Sequence, residues 1–513
     1  MSPLPTGVVT MAGLWLALSV SAQAQAPSFR WAARGGSSVS QDYGRGVGLD
    51  AAGNCYVTGF FQSTSSFSGT NLTSRGYDDI LLAKYDINGN LVWARQAGGS
   101  DFDEGYALAV DAAGNCYVTG YFQGTATFGN TNLTSDSRSF DSFVAKYDHD
   151  GTLLWVRPAG GSGSDFGYGI AVDGSGNVIV TGHFTGTANF SGTNLVSAGG
   201  TDIFLAKYDS SGTLLWARTA GGTGDDRGNA VVVDAGGNCY VTGYFAGTAS
   251  FGGSSLVSTG FADVFAAKYD PAGSLVWAQR GGGSFSDSGL GIGVDSGGNT
   301  YITGQFIGTF GIGTTNLAGD GLTDMFLAKL DPAGNLVWAT HAGGGEFDGG
   351  YALAVDAAGN SFVAGYFEDE SLGGDVLVAK YDPSGRRLWA KVAVEGQDAL
   401  CYAIALDTAG DIYVTGSFVR SFRFDAVSLT SVGTEDMFVA KLEPTTTLTI
   451  GFTGGQAVLT WPAAGGLSLQ TSGSVTNATG WSSVLTPPVI VGGMNVVTNS
   501  LSEGNRFFRL VKP

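Results

Sequence analysis

Basic residues are scarce. The 513-residue chain has 25 Lys and Arg against 44 Asp and Glu, a formal net charge of −19. A nucleic-acid binder needs cationic side chains to displace phosphate counterions, and this balance argues against one. An acidic surface favours solubility and cationic partners, but names no ligand. Cysteine (4) and histidine (3) are equally sparse, which leaves little material for a thiol-based or histidine-rich metal site. Long apolar runs are missing beyond the N-terminus, so no second segment could span a membrane as a helix. Stretches with 3.6-residue periodicity are hard to find, which argues against a helical fold.

Glycine (84) and aromatics (12%) are plentiful. The glycines have no three-residue period, which excludes a collagen-like chain, and the apolar content excludes disorder. Short β-strands joined by tight turns fit this composition. At the start, "VVTMAGLWLALSV" precedes "SAQAQA", an apolar run too short to span a bilayer and followed by small residues suited to signal-peptidase cleavage. Residues 1–26 read as a signal peptide, with no Lys or Arg ahead of the apolar run. The destination is secreted, cell-surface or periplasmic.

Tryptophan sets the period. Trp31, Trp93, Trp155, Trp216, Trp277, Trp338 and Trp389 lie 62, 62, 61, 61, 61 and 51 residues apart. Between them recurs one text: "YALAVD", "AAGN", "CYVTGYF", a variable stretch, "DIFLAKYD", "SSGT", "LLWAR". Four β-segments per period predict one four-stranded propeller blade, with strands a to d running outward from a central channel. Strand a ends at Asp50, Asp111, Asp173, Asp234, Asp295, Asp356 and Asp407. Two and four residues earlier the side chain is nearly always Gly or Ala, and one and three earlier it is Val, Leu or Ile. This parity belongs to a strand with one small and one large face. Strands a, b and c occur seven times, but only six d strands follow a c strand. "FRWAAR" around Trp31 supplies the seventh, so the N-terminal strand is expected to complete the last blade and leave no open edge.

The recurring "GxAVDxxGNxYVTGxF" resembles the bacterial seven-bladed β-propeller repeat family, often called SBBP repeats, over about residues 29–444. The resemblance implies a secreted or surface-exposed propeller and no single activity. Residues 445–513 break the pattern. "LTIGFTGGQAVLTWPA", "LSLQTSG", "GWSSVL", "NVVTNSL" and "NRFFRLVKP" predict a small sandwich with Trp461, Trp481, Phe507 and Phe508 in its core, and resemble fibronectin-III-like modules. The expected organisation is an all-β chain: a propeller over 27–444, then a small C-terminal β module over 445–513.

Most candidate chemistry reads as architecture. "DAAGN" at Asp50 and again at Asp111 is a turn in which Asp caps and Gly supplies a left-handed conformation. Each c strand carries an Asp five residues before a Lys (Asp79, Asp141, Asp202, Asp263, Asp324, Asp375, Asp436), a pattern for structural hydrogen bonds or ion pairs. Cys55, Cys116 and Cys239 share one slot in three blades, which keeps them beyond the ~7 Å Cα limit for a disulfide, and Cys401 lies on another strand. Buried free thiols are expected. His149, His183 and His341 lie in three different blades, so neither a triad nor a His cluster is indicated, and no Gly-x-Ser-x-Gly occurs.

Two features point to binding. "GGSGSDFGY" (160–168) and "GGTGDDRGN" (221–229) are similar to the calcium nonapeptide, but Gly stands where an apolar residue belongs and the period is 61 rather than nine. Asp103, Asp165, Asp226, Asp287 and Asp348, at the start of the innermost strands, read as strand caps, with local binding of a cation such as calcium as the alternative. No other cofactor is implied. The second feature is the short Trp338–Trp389 interval. The b–c excursion of blade six shrinks to "EDESLGG", predicting a notch floored by Glu368, Asp369 and Glu370, with Arg420 and Arg423 offered by the next blade. Loops on a rigid scaffold carry function, and the b–c and d–a connections share one face. The reading is a monomeric, non-enzymatic binding or scaffold propeller for an extracellular protein or glycan. The alternatives are an extracellular enzyme acting on polysaccharide and a structural envelope component.

Overall fold

The computed structural model describes residues 26–136, 139–369, 373–392, 399–425 and 427–444, and in the C-terminal stretch 449–453, 456–462, 468–472, 482–484, 487–491, 494–500 and 507–511. Every regular element among them is a β-strand. The signal-peptide reading falls on residues outside this set, apart from Ala26.

One compact unit comprises Ser28–Asp407 and Ile412–Glu443. It is built from seven four-stranded antiparallel ladders. In the first, strands a to d are Tyr43–Leu49, Cys55–Phe67, Thr70–Tyr85 and Leu91–Ala97. In the second they are Asp103–Val110, Cys116–Gln123, Phe140–Tyr147 and Leu153–Gly161. The seventh takes Leu400–Leu406, Ile412–Phe418 and Asp436–Glu443 from one end of the chain and Ser28–Gly36 from the other, with Ala32 opposite Ala440 and Gly35 opposite Met437.

Apolar cores form between ladders rather than within them. Tyr56, Ile80 and Leu82 of the first pack with Cys116, Val118 and Phe122 of the second. Val47, Cys55 and Val57 of the first pack with Tyr413, Met437 and Val439 of the seventh. The d-strand tryptophans latch neighbours together. The indole N–H of Trp93 donates to the carbonyl of His149 at 3.1 Å and that of Trp155 to Ser210 at 3.1 Å, each in the c–d turn of the following ladder. The turn glycine beneath each indole has a positive φ, +78° at Gly151, and a Cβ there would lie 3.1 Å from the Trp93 ring. Only glycine satisfies both demands.

The "DAAGN" turn is architecture. Asp50 Oδ1 accepts from the amides of Ala52 (3.0 Å) and Asn54 (2.9 Å), its Oδ2 accepts from Asn54 Nδ2 (2.8 Å), and Gly53 has φ +80°. The c-strand lysines pair with this turn aspartate, not with the aspartate on their own strand: Lys84 with Asp50 at 3.4 Å, Lys207 with Asp173 at 3.2 Å. Among the c-strand aspartates, Asp79 and Asp202 accept the amides of Arg75 and Ala198 four residues upstream, while Asp263 and Asp436 form ion pairs with Arg280 (2.8 Å) and Arg34 (2.9 Å).

The b–c excursions are not free loops. In five ladders the excursion reaches back as a short hairpin and pairs with the d strand of the preceding ladder: Ser66 opposite Gly36, Thr127 opposite Gly98, Asn189 opposite Gly160, Ser250 opposite Gly221, Gly311 opposite Gly282. These five excursions are clasps, because an apolar side chain in each (Phe67, Phe128, Phe190, Phe251 and Ile312) is buried.

The second compact unit includes Pro444–Pro513. A four-stranded sheet and a three-stranded sheet share a core of Ala457, Leu459, Trp461, Leu469, Val497 and Phe508. Trp481 and the side chain of Phe507 lie outside the described residues.

Candidate ligand site in the central channel

All seven innermost strands line one cavity of about 380 Å³. Each carries a β-bulge at the same place, five residues before the strand-end Asp: between Gly44 and Gly46, Gly105 and Ala107, Gly167 and Gly169, Gly228 and Ala230, Gly289 and Gly291, Gly350 and Ala352, and Cys401 and Ala403. A bulged residue has no cross-strand partner, and its side chain is re-aimed. The seven so presented are Arg45, Tyr106, Tyr168, Asn229, Leu290, Tyr351 and Tyr402, and all line the cavity. The ladders are alike, yet the collar they present is not.

The collar's aromatic rings touch in series. Tyr351 stacks on Tyr402 (6.3 Å between centroids), Tyr402 meets Tyr43 (6.1 Å), and Tyr106 meets Tyr168 edge-on (4.9 Å). Arg45 bridges the series, its guanidinium 4.5 Å from the Tyr402 ring, 4.9 Å from Tyr43 and 5.3 Å from Tyr106. Arg227 lies 3.5 Å over Tyr168. No ion pair among the described residues includes either arginine, and the Nε of each is buried without a hydrogen-bond partner. Burial and the neighbouring Arg227 push His183 down to about 4, so its imidazole is neutral at pH 7. Glu104 accepts from Tyr121 Oη at 2.6 Å through one oxygen, while its other oxygen is buried and unpartnered, and burial raises its pKa. The site offers ring faces and two guanidinium groups, a set that recognises planar or anionic groups.

The aspartates singled out at the channel mouth do other work. Asp103, Asp165, Asp226, Asp287 and Asp348 are buried, and each carboxylate staples two backbone segments. Asp103 accepts from Gly99 N (2.7 Å) and Gln123 N (3.2 Å), Asp226 from Gly222 N (2.7 Å) and Ala246 N (3.0 Å), and Asp348 from Gly344 N (2.6 Å) and Glu368 N (3.1 Å). Both oxygens being occupied, the strand-cap reading describes them. Among the described residues no three His, Cys, Asp or Glu side chains gather as a metal cluster.

The notch residues sit on two ladders. Glu368 and Asp369 end strand b of the sixth (Ser361–Asp369), which pairs with Gly373–Tyr381, and Glu370 lies outside the described residues. Arg420 has φ +61° just before the seventh ladder's clasp, and Arg423 Nε donates to the carbonyl of Asp425 at 2.7 Å within it. The collar was missed from the sequence because the small–large parity stops at the bulge. The one available signal was variability: the residue five before each strand-end Asp, after Gly in six strands and Cys401 in the seventh, changes among Arg, Tyr, Asn and Leu.

Comparison with known proteins finds a repeat match and partial relatives. A beta-propeller repeat family (SBBP) matches residues 154–190. An uncharacterized WD repeat-containing protein of Acanthamoeba polyphaga mimivirus is 23% identical over 499 residues, covering 76% of this chain and 36% of that protein. The regulatory protein FlaEY of Caulobacter vibrioides is 32% identical over 142 residues, covering 27% of this chain and 15% of its own. The chain therefore spans about a third or less of these relatives. Among solved structures, a chain of the mitotic checkpoint complex (TM-score 0.44, 10% identity, 85% of this chain and 99% of that one) and a gluconolactonase from Xanthomonas campestris (TM-score 0.31, 13% identity, 65% and 92%) are similar. The chain is all-β among its described residues, carries a propeller-repeat match and has a WD-repeat relative.

Proposed function

We propose that this chain is an exported, non-enzymatic binding propeller. The seven ladders are its blades, with Ser28–Gly36 completing the seventh and closing the ring. Residues 1–26 are a cleaved leader, 27–444 the propeller, and 445–513 a fibronectin-III-like module. The ligand is an extracellular protein or glycan, bound at the end of the channel where the b–c and d–a connections lie. One observation carries the reading: seven near-identical strands bulge at one position and there present unlike, ligand-competent side chains. A scaffold that only needed to close would not require two arginines in its channel whose buried Nε–H groups have no hydrogen-bond partner, since an unpartnered guanidinium N–H costs desolvation.

The mature protein should be screened against a glycan array and envelope fractions, with and without calcium. A captured ligand is expected to be lost on Arg45→Ala and Arg227→Ala in protein that retains its far-UV spectrum. Undiminished binding by the double variant would overturn the channel as the site.

A further inference from the structure

The junction between the fifth and sixth ladders lacks the clasp that the chain itself supplies at five others, and the open slot has the shape of a strand. Gly36, Gly98, Gly160, Gly221 and Gly282 each face a clasp residue. By position the next glycine of this series is Gly343. It is exposed, and no clasp among the described residues pairs with it: strand b of the sixth ladder ends at Asp369, already paired with Gly373 of strand c.

The neighbouring glycine measures the same open slot. A Cβ added to Gly99, Gly161, Gly222 or Gly283 would lie 1.8 to 2.1 Å from the carbonyl oxygen of a clasp threonine, whereas at Gly344 the nearest atoms are 3.9 Å away. Burial follows suit. The equivalent b-strand phenylalanine is fully covered in six ladders (Phe61, Phe122, Phe184, Phe245, Phe306, Phe418) but only partly buried as Phe367. Ala97, Ala159 and Ala220 are buried at the end of strand d, and Ala342 is not.

We propose that this slot receives one extended strand of a partner polypeptide, added to the open edge of Leu336–Ala342 with an aromatic side chain seated against Phe367. Strand addition of this kind draws affinity from main-chain hydrogen bonds and specificity from alternate side-chain pockets. The five clasps define the occupant: a threonine, a small residue (Phe310 in the fifth ladder), any residue, then Phe or Ile, as in "TATF" and "TASF". Glu346 and Glu368 border the slot, so the strand is neutral to basic. The break in seven-fold symmetry is thus a docking edge, independent of the channel collar.

The probe is the chain's own second clasp as a free peptide, Thr125–Thr134, with a C-terminal lysine and a fluorescent label. Anisotropy titration should show saturable binding to the full chain, weakened at least tenfold when the phenylalanine is replaced by Ala in the peptide. Inserting the Thr125–Thr134 sequence between Glu368 and Gly374 fills the slot in cis, and is expected to abolish binding and raise the melting temperature. Gly344→Val, which adds bulk where space is open, serves if the insertion misfolds. Absence of binding, or equal binding to a slot-filled variant, overturns the proposal. Binding that survives Arg45→Ala and Arg227→Ala separates this edge from the channel.

Discussion

The indole N–H of Trp31, on the first strand of the described chain, donates to the carbonyl of Ile87 at 3.0 Å. Five further d-strand tryptophans make the same bond to the following ladder, so this one joins the seventh ladder to the first. Burying a full Trp is worth ~3–5 kcal/mol, and Trp31 is half-buried. Trp31→Ala should therefore cost about 2–3 kcal/mol. A chain begun at Gly35 should lose more, because it also bares the edge of Asp436–Glu443. Unchanged urea unfolding of either would exclude a closing role for the strand.

Acid should stabilise the fold over a defined window. Burial raises Asp103, Asp141 and Asp165 to about 7, and Asp42, Asp79, Asp226 and Asp287 to about 6, from an ordinary 3.8. Neighbouring carboxyls add to the effect, Asp79 on Asp103 and Asp141 on Asp165. Between pH 4 and 7 the folded chain holds protons that the unfolded chain has released, so stability increases as pH falls through 7 toward 4. The turn aspartates run the other way. Asp50, Asp111 and Asp173 are lowered by hydrogen bonds from Asn54, Asn115 and Asn177, and their contribution is lost below about pH 4. The urea midpoint should be highest near pH 4.5–5 and lower at pH 7.5. Asp103→Asn should flatten that slope. A midpoint that rises steadily from pH 5 to 7.5 would contradict the buried pairs.

All four cysteines are free and buried, and burial pushes the Cys239 and Cys401 thiols up to about 12. Thiol counting in denaturant without reductant should return four groups, and native protein should react slowly because the thiolate is scarce. A count of two or none would mean that a pair lies close enough to bridge.

Much of this architecture is legible in the sequence, because one repeat exposes its own parity seven times. Strand a declares its two faces, the Asp-x-x-Gly turns declare their caps, and Trp31 declares the missing seventh d strand. What parity hides is the residue that breaks it. Arg45 and Tyr106 sit in bulges, where alternation no longer predicts direction. The clasps were hidden for a different reason. "TGTANFSGTNLVSAGG" reads as a loop because its hydrogen bonds go to the preceding ladder, and only the buried Phe190 betrays it. The mouth aspartates looked available because a formal charge on a Gly-rich loop suggests solvent, yet Asp165 is buried between backbone amides.

The junction of the sixth and seventh ladders offers the sharpest packing test. Elsewhere a strand-b threonine donates to the c strand, Thr58 to the carbonyl of Leu81 at 2.8 Å, and its Oγ1 lies where a Cβ on the next ladder's glycine would fall: 2.4 Å for Gly105, 2.3 Å for Gly228, 2.1 Å for Gly44 over Thr415. The sixth ladder has Ala364 in the threonine slot, and the seventh has Cys401 in the glycine slot. Both are fully buried in one cluster. The loss of a hydroxyl on one side is matched by the gain of a thiol on the other, and volume is conserved across the interface. Ala364→Thr alone should overpack the junction and cost about 1–3 kcal/mol. Cys401→Gly alone should leave a cavity and weaken the strand, costing at least about 1 kcal/mol. The double variant recreates the pair found at the other six junctions, and should recover most of both losses, a coupling of about 1–2 kcal/mol in a double-mutant cycle. Additive losses in denaturant unfolding would show that the two side chains do not share one space.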